Sequence, residues 1–300
     1  WKCFYISTYR IYRVGAVLII SKSHNFIFFK SLKTAGSSVE AALSKNCDDE
    51  DIYTGSSFKE EHFSNFYDPA PRNNWKDPEV LVGEDAFMYL KRHGCENLWN
   101  EGKKTLNLLN PIYTSHESPK MLMDSGFSFE NFKTVSVVRN PFDTLISYFW
   151  YSFNASESIL ESKQTKSRRE AALKSYLKPQ NSDSLEQLKM KINTFFNLPA
   201  VFGRDDRKDN PRQDVFDWFA DWQNEFYEYE LDYAIKFENL QEDYNFVCKS
   251  LDLKPYPLPR FKTSQRNIGF NFIELLSDNL KSRTKERYLK TFEKFGYDLD

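Results

Sequence analysis

The stretch that most constrains this chain is Asn25-Phe26-Ile27-Phe28-Phe29-Lys30-Ser31-Leu32-Lys33-Thr34-Ala35-Gly36-Ser37-Ser38-Val39-Glu40-Ala41-Ala42-Leu43. Phe26–Phe29 is a short unbroken apolar run, the pattern of a strand buried on both faces. Residues 39–43 read as helix, and the chain turns polar after them. Lysine, glycine and hydroxyl residues stand between. Strand, tight loop and helix in that order bring backbone N–H groups, hydroxyls and a cation to the positive end of a helix, where phosphate or sulfate is favoured.

A second unit repeats the form. Thr134-Val135-Ser136-Val137-Val138 is β-branched and apolar, a strand by its composition. Arg139-Asn140-Pro141 ends it. Asn140 suits a helix cap and Pro141 the first helical position. Residues 142–153 then continue as helix, with Leu145, Phe149 and Phe153 recurring every four residues. An arginine, not a lysine, stands at this strand's end.

The remaining segments are read more coarsely. Residues 16–20 form a strand. Residues 44–79 are polar and turn-rich, 84–92 helical, 93–110 irregular, and 111–115 a short strand ending at His116 and Glu117. Residues 157–178 are charged and helix-prone. Helices are expected at 184–196, 214–229, 238–251 and 278–294, with a loop at 204–212, a strand at 231–237 and an extended proline-punctuated connection at 255–259. No repeat and no low-complexity linker forces a domain cut. The 300 residues are therefore read as one domain. The expected fold class is α/β, a three-layer sandwich with a central, mainly parallel sheet, similar in layout to P-loop nucleotide kinases.

Composition narrows the function classes. A net charge of -2 leaves no global basic excess to release counterions, so no nucleic-acid partner is expected. Aromatic residues make up 17% of the chain, and the bulk of them are expected in the core. Cys3, Cys47, Cys95 and Cys248 show no paired metal-ligand spacing and read as free or buried thiols. The apolar run 14–20 is too short for a bilayer, which needs about 20 residues, so no membrane contact is expected from this segment. The chain starts at Trp1 rather than Met, which fits removal of an upstream segment.

The first loop lacks the GxxxxGK[ST] pattern of common nucleotide hydrolases, and no GxGxxG is present. By itself, Lys33-Thr34-Ala35-Gly36-Ser37-Ser38 also fits an ordinary capped helix start. Together with the second unit it resembles the sulfotransferases that use 3′-phosphoadenylyl sulfate (PAPS). Lys33 to Ser38 is similar to their 5′-phosphosulfate loop. Val137-Val138-Arg139-Asn140-Pro141-Phe142-Asp143-Thr144-Leu145-Ile146-Ser147-Tyr148 is similar to their 3′-phosphate motif. The likeness is strongest to the carbohydrate branch, Golgi-type and related bacterial, and extends weakly to residues 235–240 and to Phe295-Gly296-Tyr297. Leu32 stands where many members carry proline, a change in loop stiffness more than in chemistry.

The resemblance implies transfer of a sulfuryl group from PAPS to an acceptor hydroxyl, on a carbohydrate or other hydroxyl-bearing molecule, releasing 3′,5′-ADP without a metal. It assigns Lys33, the N–H groups of Ala35, Gly36, Ser37 and Ser38, and the hydroxyls of Thr34, Ser37 and Ser38 to the 5′ end of the donor. Arg139 and Ser147 would hold the 3′-phosphate. Lys262, Ser264 and Arg266, on a late basic loop, would close over the adenosine. For the base that takes the acceptor's proton, His116 and Glu117 are both candidates, with His62 next; His24 and His93 complete the 4 histidines. Location follows the source: cytoplasmic for a bacterial or viral chain, the Golgi lumen for a truncated eukaryotic one. The competing readings are an ATP-dependent P-loop-like kinase and a non-catalytic module of nucleotide-binding fold that recognises a glycan or partner.

Overall fold

The short apolar segments find one another across long stretches of sequence. The computed structural model describes residues 10–12, 18–53, 79–82, 105–109, 118–154, 173, 175–199, 213–261 and 270–299. The elements in chain order are β1 (Arg10–Tyr12), β2 (Leu18–Ser21), β3 (Phe26–Phe29), α1 (Gly36–Leu43), β4 (Ile52–Tyr53), β5 (Glu79–Val82), β6 (Thr105–Leu109), α2 (Pro119–Asp124), β7 (Lys133–Val138) and α3 (Pro141–Asn154). After these come α4 (Leu185–Phe196), α5 (Val215–Tyr227), β8 (Tyr233–Lys236), α6 (Leu240–Ser250), α7 (Asp278–Arg287) and α8 (Leu289–Phe295).

The larger sheet has the order β4-β2-β3-β7-β8. β3, β7 and β8 run parallel, with Phe29 opposite Ser136 and Val138 opposite Lys236. β2 and β4 add to the β3 side antiparallel. Each residue of β2 and β3 is buried, which explains the unbroken apolar runs at residues 18–20 and 26–29; the buried Ser21 hydroxyl that ends β2 donates to Asp51 Oδ2 at 3.0 Å. Phe26, Phe28, Val135, Val137 and Ile235 pack on one face with Val39, Ala42 and Leu43 of α1 and Tyr244 and Val247 of α6. Ile27, Phe29 and Val138 pack on the other with Leu122 of α2, Phe226 and Tyr227 of α5, and Phe295 of α8. The α/β sandwich expected from the sequence is thus present, with helix layers on both faces of a mixed sheet.

A further aromatic-rich cluster joins α3 to α4, α5, α7 and α8 through Phe149, Phe196, Phe219, Leu280 and Phe292. Tyr148 of α3 stacks on Phe219 of α5, with ring centroids 4.3 Å apart. Where described, the aromatics do mainly fill cores. Cys248 is buried and Cys47 half-buried, with the Cys47 thiol donating to Leu43 O at 3.8 Å.

Several boundaries differ from the sequence reading. Residues 105–109, expected to be irregular, form β6, which pairs parallel with β1 and antiparallel with β5 in a separate three-stranded sheet. Those pairings are long-range, so the local pattern does not reveal them. The polar 44–79 stretch contains β4, which pairs with β2. The single helix expected at 278–294 is two, broken at Tyr288, where φ is -110° and ψ 16°. The break lets Phe292 and Phe295 enter different clusters. Asn140 caps α3 as expected, accepting a bond from the Phe142 N–H at 2.9 Å. The expected elements at 84–92, 111–115 and 204–212 lie outside the described residues. No helix among the described residues is long and apolar enough to cross a membrane.

Candidate active site

Parallel strands in register end on the same side of a sheet. β3, β7 and β8 therefore deliver residues 30–35, Arg139-Asn140 and Phe237–Asn239 to one edge. The helix after β3 goes to one hydrophobic cluster and the helix after β7 to another. A crevice outside the carboxyl ends of parallel strands is where α/β sheets bind ligands.

The first loop is built by opposed constraints. Lys30 leaves β3 with a buried side chain, and its ammonium donates to Glu40 Oε2 at 2.8 Å. Glu40, on α1, is fully buried and also accepts the Tyr53 O–H at Oε1, 3.1 Å away. The stem of Lys30 runs so close beneath Gly36 that a β-carbon there would lie 2.8 Å from Lys30 Cγ. Glycine is needed at this position for close approach. Between these anchors the chain turns sharply: Lys33 and Ala35 are both left-handed, with φ of 62° and 69°. Such a conformation in a non-glycine residue costs about 1–2 kcal/mol, so the surroundings must hold it.

They do so from three directions. The Ser31 hydroxyl donates to Val137 O at 2.6 Å and lies 2.9 Å from Thr34 Oγ1. Thr34 Oγ1 also reaches Ser31 O at 3.2 Å. From α5, Gln223 Nε2 donates to Leu32 O at 2.7 Å, and the Tyr227 O–H donates to Ser31 Oγ at 3.2 Å. Burial holds the Tyr227 phenol well above the usual tyrosine range, so it remains a neutral donor. From β7, Arg139 Nη1 donates to Lys33 O at 2.8 Å. The turn then opens directly into α1. Ala35 is its N-cap and makes no side-chain cap; a helix leaves its first N–H groups short of intrahelical acceptors, but here the Ser38 N–H, expected to face the donor, already donates to Ala35 O at 2.9 Å.

Arg139 is itself a fixed part. It is buried, donates from Nε to Asp143 Oδ2 at 2.7 Å, and brings Nη2 within 2.5 Å of the same oxygen. Its guanidinium lies 3.8 Å above the Phe237 ring. Asp143, Ser147 and Tyr151 recur every four residues of α3 and so share one stripe. Ser147 is buried on that stripe. Tyr151 carries the Lys33 ammonium over its ring, 3.8 Å from the centroid. Close by, Glu238 accepts from the Asn140 N–H at 2.9 Å and from the Tyr297 O–H at 3.0 Å. Burial, and then the Glu238 carboxylate, push the Tyr297 phenol far up.

The structure thus brings Lys33, Thr34, Ala35, Gly36, Ser37 and Ser38 together with Arg139 and Ser147. Within the group, Thr34 turns its hydroxyl into the base of the loop, while Lys33, Ala35 and Ser37 are half-buried. Arg139 does more than a lone anion ligand would, because it braces the loop at Lys33 O. His116, Glu117, His62, Lys262, Ser264 and Arg266 lie outside the described residues. His24 sits on the turn between β2 and β3, the end of β3 opposite to the loop. Sequence reasoning missed Lys30 and Glu40, Asp143, Tyr151, Gln223, Tyr227 and Phe237. Two left a signal: Glu40 is a lone charge in an apolar helix run, and Tyr151 is one helical turn past Ser147.

A model of the sulfotransferase domain matches residues 33–247, from the loop lysine into α6 and over more than half of the chain. The chain belongs to the sulfotransferase family. Membership carries sulfuryl transfer in general, and a hydroxyl-bearing acceptor. Among solved structures, a sulfotransferase from Alicyclobacillus acidocaldarius is similar at 16% identity, covering 91% of this chain and 96% of the other, with a TM-score of 0.36. A search of curated proteins finds none that matches.

Proposed function

We propose that this sulfotransferase takes its sulfuryl group from PAPS and places it on a carbohydrate hydroxyl, releasing 3′,5′-ADP. The observation that carries the reading is the Arg139–Lys33 tie. It sets an uncapped helix start with its lysine beside a buried arginine and Ser147. A donor with phosphate at both 5′ and 3′ positions matches two such anion-attracting places, whereas ATP has no 3′-phosphate. The residues present fit the donor in charge and kind: ammonium and N–H groups for one end, guanidinium and hydroxyl for the other.

In this reading Lys33 and the N–H groups of residues 35–37 stabilise charge growing on the 5′-phosphate oxygen as its bond to sulfur breaks. Arg139 and Ser147 hold the 3′-phosphate and set the register. Lys262, Ser264 and Arg266 add contacts to the adenosine bisphosphate. His116, or the adjacent Glu117, takes the acceptor's proton as the new oxygen–sulfur bond forms. Lysine, arginine and the helix start supply the positive field, and no metal is assigned a role.

The test is transfer of labelled sulfate from PAPS to a glycan panel. Lys33→Ala is expected to lower the rate by about 10²–10³, the cost of removing one stabilising donor, with thermal stability retained. An unchanged rate would remove Lys33 from the mechanism. His116→Ala with normal turnover would move the base to Glu117 or His62.

A further inference from the structure

A lysine at a reacting centre has a difficulty of its own. Its ammonium rides on a flexible four-carbon stem, and the position of the charge is not set by the backbone. Stabilisation of growing charge is most effective when the donor is already in place and nothing must reorganise. Here the backbone of Lys33 is held by the Arg139 bond to its carbonyl. The far end of the side chain lies over the Tyr151 ring, 3.8 Å from Nζ to the centroid.

We infer that Tyr151 is a positioning residue, its ring face holding the Lys33 ammonium at the point where the 5′ end of the donor binds. The inference rests on the PAPS reading and deepens it. The electron-rich ring face attracts a cation, and more strongly where water is partly excluded. Tyr151 and Lys33 are both half-buried, so this attraction is neither fully screened nor bought at the cost of a buried charge. The ring carries no carboxylate, so this contact orients the ammonium without itself adding an opposing charge.

The placement on α3 matters as much as the ring. Asp143 fixes Arg139, Arg139 fixes the Lys33 carbonyl, and Tyr151, two turns along the same stripe, fixes the Lys33 ammonium. One helix therefore sets both ends of the same residue. It also carries Ser147 between the two contacts, so the lysine and the assigned 3′-phosphate groups share one rigid support. A site built on a helix keeps its geometry more closely than one built on a loop alone.

The experiment uses the full chain and needs no acceptor. Binding of 3′,5′-ADP is measured by calorimetry for wild type, Tyr151→Phe, Tyr151→Leu, Lys33→Met and Lys33→Met/Tyr151→Leu. Tyr151→Leu is expected to weaken binding by about tenfold, and Tyr151→Phe by less than about threefold, because phenylalanine keeps the ring face. In the Lys33→Met background the leucine change should cost nothing further, a non-additivity that a merely structural role does not give. Wild-type affinity in Tyr151→Leu, or the same loss with and without Lys33, overturns the inference. A second measurement separates it from the donor reading. In ¹³C-lysine-labelled protein the Lys33 ε-methylene protons should be shifted upfield by the ring, a shift kept in Tyr151→Phe and lost in Tyr151→Leu. Absence of that shift overturns the contact. A shift without any binding of 3′,5′-ADP overturns the donor reading, and with it the role of Tyr151 in transfer.

Discussion

At Gly36 the loop leaves no room for a β-carbon, since Lys30 Cγ would be 2.8 Å away. Gly36→Ala therefore forces the stem of Lys30 aside, and with it the ion pair to Glu40. A loss of about 1–3 kcal/mol is expected in urea unfolding, the usual cost of overpacking, along with weaker binding of 3′,5′-ADP. Stability within 0.5 kcal/mol of wild type, the range of ordinary surface changes, would show that the stem moves freely. Ser147 gives the contrasting case. It is buried on the α3 stripe but belongs to none of the loop's bracing bonds. Ser147→Ala should leave unfolding nearly unchanged and weaken 3′,5′-ADP binding by about tenfold or more, as expected for loss of a hydrogen bond to a charged group. Equal affinity would remove Ser147 from the phosphate site.

The elements are held at the site by a few long-range bonds. Lys30 closes the end of β3 onto α1 through a buried ion pair of 2.8 Å. Removing one partner strands a buried charge, so Glu40→Gln is expected to cost about 3–5 kcal/mol in denaturant unfolding. Lys30→Met/Glu40→Gln should recover much of this, because the stranded charge goes too. A double variant no better than the single would contradict the ion-pair argument. β3 was legible in the sequence because burial on both faces leaves no polar residue in Phe26–Phe29, and β7 because Thr134 and three valines make residues 134–138 rich in β-branched side chains. The helix after β7 was legible from Asn140, Pro141 and a four-residue apolar period. The left-handed turns at Lys33 and Ala35 were not. Neither residue type advertises a positive φ, and the groups that hold the turn come from Arg139, Gln223 and Tyr227, far along the chain. Strand β6 was missed for the same reason, since its partners β1 and β5 are distant in sequence.

Across the whole molecule, the buried phenols set an alkaline limit. Burial raises Tyr227, Tyr244, Tyr288 and Tyr297 above their ordinary value of 10.0. The folded chain then keeps protons that the unfolded chain releases above about pH 10, so stability is full below that pH and falls as pH rises through it. Melting temperature should decline from about pH 10 upward, and Tyr297→Phe should lessen the slope; a flat profile to pH 11, a full unit past the unfolded tyrosine range, would contradict this. In the proposed reading, a chain of net charge -2 meets its polyanionic donor through local groups, with no global basic excess. Lys33, Arg139 and the start of α1 meet where β3 and β7 end, while other cations, such as Lys120, Lys133 and Lys290, lie exposed elsewhere on the surface. The most direct test of that claim is thermal stability of the full chain with 3′,5′-ADP, compared with ATP and Mg²⁺. Stabilisation by 3′,5′-ADP, lost in Lys33→Ala and absent with ATP–Mg²⁺, is the expected result. Stabilisation by ATP–Mg²⁺ with no response to 3′,5′-ADP would contradict it.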